Sequence, residues 1–253
     1  MSEALGAGAV VTRHDEDRIA VVTLDSPANR NALSRRLLEE LRATITEAAA
    51  DESLHGILLC SSQRVFCAGA DLKEAASVDM IEQARRIIAV QRAIVAAPVP
   101  VVVRLDGPVR AGGLGLVASA DIVVAAAPVT FALTEVRLGL AAATISIPLR
   151  ARLAPRVAAD WFLTGRMFTA EEARAGGLVT HVAAEGAGVD EVVESVLTDL
   201  RAGHRQGLTA SKQLLVDGLL VDLDARGEEM ARMSGLLFHS DIAQERMAAA
   251  LRR

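Results

Sequence analysis

One acid and two glycine-containing loops are the parts of this chain best suited, by residue type and spacing, to do chemistry. Glu135 follows the apolar run Val129 to Leu133 and precedes Val136-Arg137-Leu138-Gly139-Leu140. A carboxylate at the end of a buried strand is costly unless it is paired or used. Two readings stand: a salt bridge to Arg137 or another arginine, or a general acid and base. The first loop, Val65-Phe66-Cys67-Ala68-Gly69-Ala70-Asp71-Leu72-Lys73, follows a strand-like run and leads into a helical one. Small residues there let backbone N–H groups approach a ligand closely, although an ordinary strand-to-helix turn has the same look. The second loop, Gly107 to Gly113, also lies between a strand and a helix. Unpaired N–H groups at a helix start can hold a developing oxyanion. At the ends of adjacent strands, the two loops could each give one N–H to the same oxygen.

The surrounding pattern says what must position these groups. Strands are predicted over Arg18 to Leu24, His55 to Cys60, Val99 to Leu105, Asp121 to Ala126 and Val129 to Leu133. Ser34 can N-cap a helix to about Ala50, with Leu37, Leu38, Leu41 and Ile45 on one face. Met80 to Ala96 reads as an amphipathic helix stopped by Pro98, and a small-residue helix starts at Gly112. Alternating strands and helices imply an α/β domain. Beyond about Asp190 helices alone are expected, over Asp190 to Ala202, Thr209 to Arg226 and Glu228 to Leu251. The division is a core over residues 1–190 and a helical C-terminal region over 191–253.

Composition narrows the function classes. The 253 residues are 51% hydrophobic and carry a net charge of −5, enough apolar material for a full core. With no basic run, no Tyr and one Trp, nucleic-acid binding is not expected. Two cysteines, Cys60 and Cys67, cannot make a disulfide framework, so a reducing, cytoplasmic setting is the expectation. No secretory leader is read in Met1 to Val11. The apolar stretch Ala111 to Leu133 is long enough to span a membrane, but Asp121 and Pro128 interrupt it, so a buried helix and two strands are expected. The five histidines share no metal-ligand spacing, and no metal site is expected. Cys67 reads as a small buried thiol rather than a nucleophile. Gly113, Gly115 and Ala118 fit G-x-G-x-x-A, with Glu135 about 20 residues on. The glycines nevertheless do not open at a strand end, so a dinucleotide site is rejected.

Taken in order, several segments resemble the enoyl-CoA hydratase/isomerase (crotonase) family. They are Asn31-Ala32-Leu33-Ser34, Phe66 through Glu74 (FCAGADLKE), Gly112-Gly113 ahead of Ala120-Asp121-Ile122, Phe131 to Gly139, and Thr164-Gly165 through Gly177-Leu178-Val179. The likeness covers nearly the whole chain. It implies a spiral of ββα units with a helical C-terminal trimerisation region, assembled as a homotrimer or hexamer. It also implies an acyl-CoA substrate and no separate cofactor, coenzyme A being part of the substrate. By position, Ala70 and Gly112 would be the oxyanion donors and Glu135 the acid/base. Ala68, Gly69, Asp71, Leu72 and Lys73 would line the CoA path, with Arg30, Ala32 and Leu33 opposite. Phe238 matches a position that touches CoA bound to a neighbouring subunit.

The chain departs from the family pattern at one place. Well-studied hydratases carry two glutamates; Glu135 matches the second, but Gly115 stands where the first belongs. Two carboxylates hold an added water well, whereas one is enough to move a proton between two carbons, as in Δ3,Δ2-enoyl-CoA isomerases. The run Thr134 to Leu140, with Thr144-Ile145-Ser146, is similar to a methylglutaconyl-CoA hydratase-like branch whose members often share the glycine. The resemblance therefore implies a hydratase, with an isomerase or a catalytically weak acyl-CoA binder as alternatives. Asp71, Arg110 and Arg137 are further polar groups that could face the acyl carbons.

Overall fold

The computed structural model describes residues 8–74, 78–184 and 188–251. The first seven residues, part of the segment in which no leader was read, lie outside that range. Six strands form the main sheet, in the order β1-β2-β3-β4-β6-β9. They are β1 (Val11–Glu16), β2 (Ile19–Leu24), β3 (Gly56–Ser61), β4 (Val101–Leu105), β6 (Ile122–Ala126) and β9 (His181–Ala183). Every pairing in it is parallel except β1 with β2. The middle strands are nearly continuous apolar runs, such as Gly56–Ser61 with five of its six residues buried. A parallel sheet covered on both faces requires this. The β1 strand was not read from the sequence because Thr12 to Glu16 is polar. It is an edge strand, and its outer residues stay wet.

A second layer runs beside the first. The strands β5 (Val109–Arg110), β7 (Thr130–Ala132) and β8 (Met167–Thr169) form a small sheet. Single bridges extend it: Leu33 pairs with Ala70, and Cys67 pairs with Val109. The strands β2, β3, β4 and β6 are thus each followed by a segment in the small layer and then by a helical segment, which is one turn of a ββα spiral. The helices are α1 (Arg35–Ala50), α2 (Met80–Ala96) and α3 (Gly113–Ser119). Ser34 caps α1 by accepting from Leu37 N, and Asp79 caps α2 by accepting from Ile81 N and Glu82 N. The fourth turn carries a 3-10 turn, Thr134–Leu138, followed by α4 (Ser146–Arg152) and α5 (Pro155–Thr164). One large core of leucine, valine and isoleucine fills the space between sheet and helices.

The C-terminal helices differ from the sequence expectation. After α6 (Ala170–Ala175), α7 (Val189–Ala202) lays Val193, Leu197 and Leu200 over the outer face of the main sheet. The break expected between Arg226 and Glu228 does not occur; α8 is one 34-residue helix, Arg205–Phe238. Gly227 is there for closeness, not for a turn. A Cβ on it would lie 3.1 Å from Ile88 Cγ2, so the missing side chain lets α8 press onto α2. The chain turns only at His239 and Ser240, before α9 (Asp241–Leu251). Asp121, the charge inside the apolar stretch, is paired. Its Oδ2 lies 2.7 Å from Lys212 Nζ, and Lys212 also donates to Ile94 O and Val99 O. A buried pair needs such extra bonds to offset the cost of leaving water. Among the described residues no helix is long and apolar enough to cross a membrane.

Candidate active site

The two loops do meet. Leu33 N donates to Gly69 O at 2.8 Å, and Arg110 N donates to Cys67 O at 3.0 Å, so both loops are stitched to the same small layer. Asn31 is the anchor behind them. It is fully buried, accepts from Ser26 N through Oδ1, and donates through Nδ2 to Ser61 Oγ and Phe66 O. Two residues take left-handed backbone at the crossing, Gly69 (φ 98°) and Ala111 (φ 46°). Gly69 adopts this freely; Ala111 pays about 1 kcal/mol for it, strain of the kind found at ligand-binding turns. Among the described residues, neither Ala70 N–H nor Gly112 N–H has a backbone acceptor outside the regular elements.

Ala70 and Gly112 both line one cleft with about 840 Å³ of empty space, part of it open to solvent. Leu33, Ala68, Asp71, Leu72, Glu135 and Phe238 line it too. Arg30, Ala32, Gly69 and Lys73 do not line it; Arg30 and Lys73 are exposed beside it and Ala32 is buried behind it. Phe238 stands in the cleft of its own chain, packed with Met80, Leu140, Ala243 and Met247. Asp71 is spent on the loop itself. Its Oδ1 accepts from Lys73 N and Glu74 N, and its Oδ2 accepts from Asn29 Nδ2. Arg110 turns away to Thr130 O and Thr130 Oγ1, and Arg137 is exposed outside the cleft.

Glu135 sits in the 3-10 turn Thr134–Leu138, just past β7, and Gly139 (φ 73°) closes that turn. Among the described residues Glu135 makes no ion pair, with Arg137 or with any other arginine, so the salt-bridge reading does not hold there. The residue is half-buried, but its Oε2 is sealed from solvent and, among the described residues, has no hydrogen-bond partner. Burial raises its pKa from the usual 4.5 to about 7, opposed weakly by a bond from its own backbone N–H. Desolvation penalises the charged form, and no cation compensates. Such a group exchanges protons readily near neutral pH. Cys67 is buried, and burial pushes its thiol up to about 12, so it is no nucleophile.

Gly115 is more than a missing acid. A Cβ there would lie 2.4 Å from Ile145 Cγ2 and 2.6 Å from Gln91 Nε2, so the space of the first family glutamate is filled. The G-x-G-x-x-A match fails for the same physical reason: Gly113, Gly115 and Ala118 are buried in α3, and a Cβ on Gly113 would meet Cys67 Cβ at 2.7 Å. No phosphate could reach them. The sequence reading missed Gln83 and Ser234 as cleft residues, and named Thr144 only as part of a motif. Gln83 did leave a signal, a polar side chain on the buried stripe of α2 beside Ala84 and Ile87.

The family model described as enoyl-CoA hydratase/isomerase matches residues 14–251. The chain belongs to the enoyl-CoA hydratase/isomerase family. A solved enoyl-CoA hydratase from Mycobacterium avium is 40% identical, covers 97% of each chain and superposes with a TM-score of 0.89. The mitochondrial methylglutaconyl-CoA hydratase of Rattus norvegicus is 31% identical over 224 residues, 83% of this chain and 70% of that protein. The mitochondrial enoyl-CoA hydratase domain-containing protein 3 of Danio rerio is 34% identical over 176 residues, 68% of this chain and 61% of that one. The ββα spiral is therefore the family fold.

Proposed function

We propose that this chain is an enoyl-CoA hydratase, adding water across the double bond of a 2-enoyl-CoA thioester. One observation carries the reading: Glu135, with no ion-pair partner among the described residues and a pKa raised by burial to about 7, lines the same cleft as Ala70 and Gly112, whose N–H groups find no backbone acceptor there. The Glu135 carboxylate takes a proton from water as the water oxygen bonds to the β carbon. Negative charge moves onto the thioester oxygen, where two preorganised N–H donors hold it; losing one such donor costs about 3–4 kcal/mol. Glu135 then gives that proton to the α carbon, so one water is added and the carboxylate is regenerated. Coenzyme A is part of the substrate, and the cycle calls for no separate cofactor.

The walled-off Gly115 favours a second reading, Δ3,Δ2-enoyl-CoA isomerisation. In that reaction Glu135 removes the α proton of a 3-enoyl thioester and returns it to the γ carbon, with no water to hold. Purified protein should be assayed on matched 2-enoyl and 3-enoyl thioesters. Hydration of the first supports the main reading, conversion of the second alone supports the other, and neither reaction with tight acyl-CoA binding marks a binder. Glu135→Gln should lower kcat at least about 100-fold with CoA binding retained; unchanged turnover would refute the mechanism. We further assign a trimeric or hexameric assembly. In the single chain, α8 leaves Leu214, Leu215 and Val221 exposed, and α5 leaves Leu163 exposed. Sedimentation equilibrium tests this, and a monomer would overturn it.

A further inference from the structure

The far wall of the cleft holds polar groups that the proposed chemistry does not use. Gln83 is 4% exposed and lines the cleft. Its Nε2 donates to Leu33 O at 2.8 Å, while its Oε1 is shielded from solvent and, among the described residues, has no partner. The amide cannot turn over, because that would set oxygen against the Leu33 carbonyl. An acceptor is therefore fixed in a mainly apolar wall, at a cost unless something donates to it. Thr144 and Ser234 line the same cleft, both buried, and among the described residues neither hydroxyl makes a hydrogen bond. The three residues come from α2, the segment before α4, and α8. Those elements meet in one apolar cluster that includes Ala84, Ala143 and Ala231. The charged side chains lining the cleft are Asp71, Glu74 and Glu135, all acids.

We infer that the acyl group bound here carries a neutral hydroxyl, which donates to Gln83 Oε1 and accepts from Thr144 or Ser234. This rests on the acyl-thioester reading of the cleft and adds the substrate class. A hydroxyl fits because it both gives and takes a hydrogen bond. An acyl carboxylate does not fit: it would set its charge against the partly negative Gln83 oxygen, and among the described residues no cation lines the cleft. Sites built to bond a substrate hydroxyl reject the analogue lacking it.

The test compares 2-hexenoyl-CoA with its 4-, 5- and 6-hydroxy forms and with a carboxylate-ended form of the same length. Turnover is measured as kcat/KM, and binding of the saturated counterparts is measured by calorimetry. One hydroxylated form should be preferred about tenfold or more over both the plain and the carboxylate forms, in turnover and in binding. Gln83→Leu should bring the hydroxylated-to-plain ratio to about one. A merely structural role, steadying Leu33, would lower all substrates together and leave the ratio alone. Ser234→Ala and Thr144→Val read the same ratio if Gln83→Leu does not fold. A wild-type preference for the plain or carboxylate form, or a ratio untouched in every variant that folds, overturns the inference. A hydroxyl preference in calorimetry without turnover would sink the hydratase reading and leave this one standing.

Discussion

Replacing Glu135 by glutamine should stabilise the protein while it removes the chemistry. The carboxyl holds its proton up to about pH 7 in the folded chain, against an ordinary 4.5. Between those values the native state binds more protons than the unfolded state, so stability falls as pH rises through that window. At about 1.36 kcal/mol per pH unit, the full penalty is about 3 kcal/mol, complete above pH 7 and absent below 4.5. The residue is only half-buried, so solvent reaching its other oxygen should reduce this to about 1–3 kcal/mol. Glutamine is neutral at every pH and nearly isosteric. Urea unfolding of both proteins at fixed concentration, from pH 5 to 9, should show near-equal stability at the acid end. The variant should gain through pH 6 and 7 and then reach a plateau. Other titrating groups cancel in the difference. A difference that is flat with pH, or that favours the wild type at pH 8, would refute the claim that desolvation sets this acid.

Three other outcomes follow from the same geometry. Gly115→Glu should not create a two-glutamate hydratase, because its Cβ would collide with Ile145 and Gln91; overpacking should cost about 1–3 kcal/mol, seen as a lower Tm, with no gain in kcat. Asn31→Ala should strand Ser26 N and Phe66 O and loosen the first loop, costing about 2–4 kcal/mol and lowering kcat; a normal melting curve would count against its anchoring role. Lys212→Met should leave Asp121 buried without its cation and cost about 3–5 kcal/mol in chemical denaturation, whereas a neutral effect would mean that water reaches the pair.

Much of the frame was readable because local rules and burial agree. Helices α1 and α2 begin at Ser34 and Asp79, where oxygen-bearing caps precede apolar stripes, and the middle strands are apolar runs that only a covered parallel sheet accommodates. The two loops and Glu135 were legible as unusual residue types at element ends. The edge strand β1 was not, because a wet strand carries no apolar period. Nor was the unbroken α8, because a glycine that admits a neighbouring helix looks the same in sequence as one that ends its own.

Local residue patterns were enough to show which strands and helices could form and that Glu135 was an acid out of place. What that acid faces follows from the folded chain, since partners are set by long-range closure and not by spacing. The fold packed Phe238 of the C-terminal helix against Met80 and Leu140 in the cleft wall. It also filled the place of the absent glutamate with Ile145 and Gln91, and held Gln83 in the cleft wall through its bond to Leu33 O. Each is a contact between segments far apart in the chain, where desolvation and close packing outweigh any local preference.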